Sequence, residues 1–256
     1  MNISEIQSFL DTDVLGRSCS LFTSIDSTSS YLRRNLEDLP DGHLAVSDEQ
    51  LAGRGRTGKT FYSPKGDGLY FSFILKEKKY TSDPLLTIKL SYAVCRAVDK
   101  LTGTEKVGIK WVNDIYIDGR KIAGVLSERV KSGGEEVIIV GIGVNFRFDK
   151  GAAPKEIRGK CASLRDVSRH HLSRAKLCAL ILNEIEDMYK SGVSDEEFIE
   201  LYRVRSIVLG REISVIKDGG EMRAAALDIA KDGALVVRYE SGITEKLTAG
   251  EISVVV

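Results

Sequence analysis

Gly53-Arg-Gly-Arg-Thr-Gly58-Lys59-Thr60 matches the phosphate-loop pattern G-x-x-x-x-G-K-[ST] letter for letter. Whether it is such a loop decides the fold. The pattern cradles phosphates only between a buried strand and a helix whose N-terminus faces them. Neither flank fits. Ser47-Asp48-Glu49-Gln50 is polar where the buried strand should end, and Pro64, Gly66 and Gly68 forbid a long helix starting at Lys59. No strand of four apolar residues ending in Asp supplies the usual magnesium partner. The segment therefore reads as an irregular loop joining strands at 44–46 and 69–75, the second rich in aromatic and β-prone residues. It still carries chemistry. Arg54 and Arg56 alternate with Gly53 and Gly55, so two planar, permanently charged guanidinium groups ride on a backbone able to fold closely around a carboxylate or phosphate. A solvated surface loop is the alternative.

Upstream, Asp26-Ser27-Thr28-Ser29-Ser30 opens a helix carrying Tyr31, Leu32 and Leu36. Five consecutive cap candidates exceed what one helix needs. Either the capping is redundant, or hydroxyls and free N–H groups are offered to a polar ligand. Ser4 with Gln7 makes a capping-box start to a short first helix. Downstream, Leu85, Ile88, Tyr92, Cys95 and Val98 give helical periodicity over 84–101, and strands follow at 107–111, 122–129 and 137–144. An Asp118-Gly119 turn returns Lys121 toward Lys110-Trp-Val-Asn113-Asp114. On the 137–144 strand, Gly141 and Gly143 alternate with aliphatics. They leave a slot where a flat ligand can touch backbone, or mark a bulge or close helix packing. Helices return at 173–189 and at Ser194, whose capping box is closed by Glu197; Asp195-Glu196-Glu197 are first-turn acids. From about Arg205 five short alternating strands appear, separated by turns at Gly219-Gly220, Asp232-Gly233 and Ser241-Gly242. This predicts a small β-barrel after an α/β body.

The chain has 37 basic and 37 acidic residues and no formal net charge, which argues against bulk binding to nucleic acid. With 43% hydrophobic and 29% charged residues it reads as a folded soluble protein. Its longest apolar run, 137–144, is far short of the roughly 20 residues of a membrane span, and the N-terminus lacks the pattern of a signal peptide. Cys19, Cys95, Cys161 and Cys178 are scattered without a C-x-x-C pair, so they read as buried thiols of a reducing cytosol. Adjacent His170 and His171 point in different directions and read as a surface pair rather than a zinc site.

Taken together, the motifs resemble biotin protein ligase. The series is Asp26-Ser-Thr28, Gln50-Leu-Ala-Gly-Arg-Gly-Arg56, Phe61-Tyr-Ser-Pro64, Gly68-Leu-Tyr-Phe-Ser72, Lys110-Trp-Val-Asn-Asp114 and Lys121-Ile-Ala-Gly124. It continues through Gly141-Ile-Gly-Val-Asn145, Ala162-Ser-Leu164 and Gly250-Glu-Ile252. The resemblance implies a mixed α/β catalytic domain (1–204), akin to class II aminoacyl-tRNA synthetases, and an SH3-like β-barrel (205–256). It implies an enzyme that makes biotinyl-AMP from biotin and magnesium–ATP and passes biotin to a lysine of a biotin carboxyl carrier domain. It needs no redox cofactor or zinc, and it acts in the cytoplasm without nucleic acid or membrane. Only 25 residues precede Asp26, so a dedicated ligase without a DNA-binding domain is expected.

Carried over residue by residue, Ser27, Thr28 and Gln50 meet the biotin ureido group or flank its pocket. Gly53 and Gly55 of the loop belong to the biotin-binding set, as does Gly124, and Gly141 and Gly143 line the slot for the bicyclic ring. Arg54, Arg56 and Lys121 hold the biotin carboxylate against the ATP α-phosphate and stabilise the charge of the transition state. Lys110, Asn113, Asp114 and Asn145 face the nucleotide, with Asp114 also a magnesium contact. Phe61, where the family often has Trp, stacks on adenine once the loop closes. Val112 replaces a usual Pro or small residue, Ser29 replaces a common Asn, and the last strand lacks a basic residue found in some members. Homodimerisation is common in the family and an exposed edge near 137–144 could serve it, but the sequence does not fix the oligomeric state. The alternatives are a lipoate ligase of the same fold and a non-catalytic biotin sensor.

Overall fold

The computed structural model describes residues 1–168, 172–217 and 220–254, and within them the chain forms two sheets. The larger contains β1 (Cys19–Phe22), β2 (Leu44–Ser47), β3 (Gly68–Leu75), β4 (Gly108–Lys110), β5 (Asp114–Ile117), β6 (Arg120–Ser132) and β7 (Glu135–Asn145). Its spatial order is β1-β2-β3-β7-β6-β5-β4. β1 and β2 run parallel and all other neighbours antiparallel, so the expected mixed sheet is present. One expectation needs correction. The 137–144 strand is no edge, because β7 is hydrogen-bonded to β3 on one side and β6 on the other. Its apolar run reflects that central position.

The helices are α1 (Ile3–Gln7), α2 (Thr28–Arg34), α3 (Lys78–Thr81), α4 (Leu86–Thr102), α5 (Lys155–Arg158), α6 (Leu164–Val167), α7 (Arg174–Lys190) and α8 (Asp195–Arg205). The α1 capping box uses Asn2 and Glu5, not Ser4 and Gln7: each backbone N–H donates to the other's side chain at 2.8 Å. The α4 helix is buried around most of its circumference, since it lies between the sheet and α7 and α8. It stops at Gly103, whose φ of 69° supplies the left-handed closing residue. Among the described residues no helix is long and apolar enough to cross a membrane. The four cysteines are free thiols; Cys95 and Cys178 are buried, but Cys19 and Cys161 are only half-buried.

The two faces of β3 explain where the site lies. Leu69, Phe71, Phe73 and Leu75 join Val140, Ile142, Val144 and α4 in the main core. On the other face Ile74 and Ile139 lie beneath Leu32 of α2 and Leu36 just after it. Further along that face Ser72 and Tyr70 pair with Gly141 and Gly143, and the apolar cover gives way to a polar recess. The Asp118-Gly119 turn, with φ values of 48° and 72°, has the two left-handed residues of a tight hairpin and folds β6 back along β5.

The smaller sheet contains β8 (Glu212–Lys217), β9 (Gly220–Ile229), β10 (Leu235–Tyr239), β11 (Thr244–Leu247) and β12 (Glu251–Val254) in the antiparallel order β11-β10-β9-β8-β12. All five expected strands form. Among the described residues no ladder joins β11 to β12, so the unit is a five-stranded antiparallel sheet. Trp111 Nε1 ties it to the larger sheet by a buried 3.0 Å hydrogen bond to the Gly233 carbonyl. His170-His171, Gly219 of the expected Gly219-Gly220 turn and the last two residues of the final strand lie outside the described residues.

Glu186 fixes the N-terminal segment onto α7. Its buried carboxylate accepts from the amides of Asp13 (2.6 Å), Val14 (3.2 Å) and Leu15 (3.1 Å) and pairs with Lys190 at 2.8 Å. Burial alone would raise its pKa, but Lys190 and the three amides outweigh burial and hold it at about 2, against 4.5 ordinarily. Between those values the unfolded chain binds the extra proton, so this stabilisation is complete above 4.5 and is lost as pH falls toward 2. Glu186→Gln should therefore cost about 2–3 kcal/mol at pH 7. The gap from the parent chain should narrow at pH 3, as read from urea midpoints. A gap of equal size at both pH values would contradict this.

Candidate active site

The recess has a floor of backbone. An added Cβ at Gly141 would lie 2.8 Å from Ser29 Oγ, and one at Gly143 would lie 2.5 Å from the Phe61 ring. A side chain at either position would force Ser29 or Phe61 to move. Gly124 and Leu126 of β6 continue the floor, directly opposite Gly143 and Gly141. The cavity above it measures about 190 Å³.

Hydroxyls and an amide form one end. Ser27 is the N-cap of α2, which leaves the side chains of Thr28 and Ser29 for other partners. Ser72 Oγ lies 2.7 Å from Thr28 Oγ1 and 2.8 Å from Ser29 Oγ. Gln50 Oε1 accepts from both the amide (2.9 Å) and the hydroxyl (3.1 Å) of Thr28, and its Nε2 donates to Ser63 Oγ at 3.1 Å. The direction of protons follows. Thr28 spends its one hydroxyl proton on Gln50, so Ser72 donates to Thr28 and Ser29 donates to Ser72. Asp26 stands outside, paired with Arg34 at 2.6 Å.

Cations form the other end. Lys121 crosses over Gly124, where a Cβ would sit 3.2 Å from Nζ, and pairs with Asp114 at 2.6 Å. The Lys121 backbone is held by Lys160 and by Ala162 of the Ala162-Ser-Leu164 motif, and its carbonyl also accepts from Asn145 Nδ2 at 3.3 Å. Arg56 donates to Asn113 Oδ1 (2.9 Å) and to the Gly250 carbonyl of the smaller sheet (3.3 Å). Asn113 is fixed in turn by a 2.7 Å bond from Nδ2 to the Val125 carbonyl. Arg54 donates to Glu128 Oε1 at 2.9 Å. Lys110 lies 5.8 Å from the centroid of the Tyr116 ring. The Val112 position is fixed despite its unusual residue, since its carbonyl accepts from Ser91 Oγ (3.2 Å) and Tyr202 OH (3.3 Å).

The loop geometry excludes the phosphate-loop reading. Arg56–Gly58 makes a single 3-10 turn, Gly55 N–H donates to the Lys59 carbonyl at 2.7 Å, and the chain is extended from Lys59 onward. No helix points at a phosphate there. Asp114 is taken by Lys121, and among the described residues no group of three His, Cys, Asp or Glu side chains converges. Burial pushes the Cys161 thiol up, so it gains no nucleophilic character from lying near Lys121.

Residues 21–145 match the biotin/lipoate A/B protein ligase family, and residues 208–255 match the biotin protein ligase C-terminal domain. The chain is 30% identical to the bifunctional ligase/repressor BirA of Bacillus spizizenii over 258 aligned positions, covering 96% of this chain and 77% of that protein. It belongs to the biotin/lipoate A/B protein ligase family. The biotin–[acetyl-CoA-carboxylase] ligase of Mycobacterium tuberculosis is 26% identical, over 83% of this chain and 79% of its own length. Among solved structures, the biotin protein ligase from Aquifex aeolicus in complex with biotin and ATP superposes with a TM-score of 0.79 at 27% identity, over 93% of this chain and 98% of that one. The fold is that of biotin protein ligases, with a mixed α/β sheet followed by an antiparallel C-terminal sheet.

In this ligase-family fold most residues singled out in the sequence meet at one cavity. Ser27, Thr28, Gln50, Arg54, Gly55, Arg56, Phe61, Lys110, Asn113, Asp114, Lys121, Gly124, Gly141 and Gly143 all line it. Gly53 and Asn145 do not. At Gly53 a Cβ would strike the Phe61 carbonyl at 2.4 Å, so that glycine lets the two arms of the loop cross; Asn145 braces the Lys121 backbone from behind. The Phe61 ring lies over Gly143, edge-on to Tyr70 with centroids 6.3 Å apart. Ser72 is the partner that the sequence reading gave no role. Its signal is positional, since it lies directly across from Gly141.

Proposed function

We infer that this protein is an ATP-dependent ligase that activates biotin as biotinyl-AMP and transfers it to a lysine of a carboxyl carrier domain. One observation carries the reading: a glycine-floored slot with a hydroxyl–amide network at one end and Arg54, Arg56 and Lys121 at the other. The two N–H donors of a ureido group match Ser29, Ser72 and Thr28, whose oxygens keep lone pairs free to accept them. A flat bicyclic ring matches the floor at Gly141 and Gly143. A valeryl carboxylate then extends toward the cations.

In the first step a carboxylate oxygen attacks the α-phosphorus, its bond to the bridging oxygen breaks, and pyrophosphate leaves. Lys121 and the arginines neutralise charge that grows on the phosphoryl oxygens, and holding both reactants in place lowers the entropic cost. Asn113 and Lys110 are placed to meet the nucleotide, which brings its magnesium with it. In the second step the neutral amine of the acceptor lysine attacks the mixed anhydride, forms the amide, loses a proton and releases AMP. Residues 1–204 carry both steps, with 205–256 as an appended unit, and the free thiols suit a cytoplasmic enzyme.

Lipoate is the second candidate, because it has the same carboxylate. Its dithiolane offers nothing to pair with the buried hydroxyls, and unmatched polar groups of that kind discriminate strongly. Exchange of labelled pyrophosphate into ATP, with biotin and lipoate in parallel, tests the reading. Exchange with biotin alone supports it. Exchange with lipoate alone keeps the chemistry and changes the substrate; biotin binding without exchange makes the protein a sensor.

A further inference from the structure

Glu128 lies on β6 opposite Ile139, on the face that carries Gly124 and Leu126 and at the edge of α2. Its Oε1 is shared. Arg54 Nη2 of the loop approaches to 2.9 Å and Arg33 Nη2 of α2 to 3.0 Å. The second oxygen, Oε2, is buried and has no hydrogen-bond partner among the described residues. This is a poor arrangement for all three groups. A carboxylate and one guanidinium pair best through two parallel bonds, whereas here two like charges crowd one oxygen and leave the other unsatisfied.

We propose that Glu128 is a positioning residue that parks Arg54 when no ligand is bound, and that Arg33 competes with Arg54 for it. The inference rests on the reading of Arg54 as a ligand-binding cation. When the carboxylate of biotin reaches the recess, Arg54 turns from Glu128 to the ligand. Arg33 then takes both oxygens of Glu128, which satisfies Oε2 and offsets the pair that Arg54 has left. Arg33 thereby lowers the cost of handing Arg54 to the substrate without lining the cavity itself.

The two side chains should have opposite effects, which a merely structural role would not produce. Glu128→Gln loosens the parked state, so biotin should bind more tightly and its KM in pyrophosphate exchange should fall. Arg33→Ala leaves Glu128 to Arg54 alone, so biotin should bind more weakly and its KM should rise. Each shift should be about threefold, the scale of a half-exposed ion pair. The double variant should match Glu128→Gln, because Arg33 acts only through Glu128. Calorimetric titration with biotin and exchange kinetics on the full chain read both quantities, with melting curves to check folding. Shifts in the same direction, or none, would overturn the proposal. If Glu128→Gln does not fold, Arg33→Ala decides alone: a raised KM supports the proposal and any other result ends it. A parent chain that shows no biotin-dependent exchange would instead end the functional reading on which this rests.

Discussion

Lys121→Ala is expected to reduce biotin-dependent pyrophosphate exchange by about a thousandfold or more. Removing one preorganised donor to a developing charge usually costs about a hundred- to a thousandfold. Here a second effect adds to it. Lys121 Nζ lies 2.6 Å from Asp114, so alanine strips the cation and leaves an uncompensated carboxylate beside the position where phosphates must sit. That charge repels ATP. The double variant Lys121→Ala/Asp114→Asn should therefore recover part of the loss, which a simple loss of packing would not allow. Stability should change by less than about 1 kcal/mol, since both partners are partly solvated. The measurement is the exchange rate at saturating biotin. A Lys121→Ala rate within tenfold of the parent would remove Lys121 from the chemistry.

Lys121 also shows what was legible before the structure. The Asp118-Gly119 turn and the alternation of Gly141 and Gly143 are local signals, with periods of two residues, and both placed their residues correctly. The rejection of the phosphate loop rested on flanking Pro and Gly, and it held because a helix cannot form there. Contacts that depend on which strands become neighbours were not legible. Ser72 meets Thr28 and Ser29 only because β3 pairs with β7 beneath α2, and 43 or more residues of chain separate the partners. Glu128 reads as an ordinary solvent-facing acid until the loop folds back onto β6. Trp111 lines the cavity, yet its indole N–H is spent on the Gly233 carbonyl in the turn between β9 and β10, a partner no local pattern announces. The apolar run of β7 was mistaken for an edge because composition does not distinguish a strand with one neighbour from one with two.

Arg56→Gly should separate the two half-reactions that Lys121→Ala abolishes together. Arg56 is the tether of the loop: it reaches Asn113 at 2.9 Å and the Gly250 carbonyl at 3.3 Å, so it joins the loop to both sheets. Hydrogen bonds from a charged donor are worth about 1.5–3 kcal/mol each when well formed. Their loss should shorten the life of the closed loop by about a hundredfold, because about 1.4 kcal/mol is a factor of ten. Glycine also adds conformational freedom to a segment that already holds Gly53, Gly55 and Gly58. Adenylate formation should persist at a reduced rate, since Lys121 and Arg54 remain. Retention should fail, so biotinyl-AMP escapes and acylates lysines of unrelated proteins. The check is biotin label on serum albumin present in excess, with and without a carrier domain. Labelling of albumin should rise at least about tenfold relative to the parent. Label confined to the carrier domain would mean that the adenylate is held by the slot and not by the loop, and the gating role would pass from Arg56 to the glycine floor.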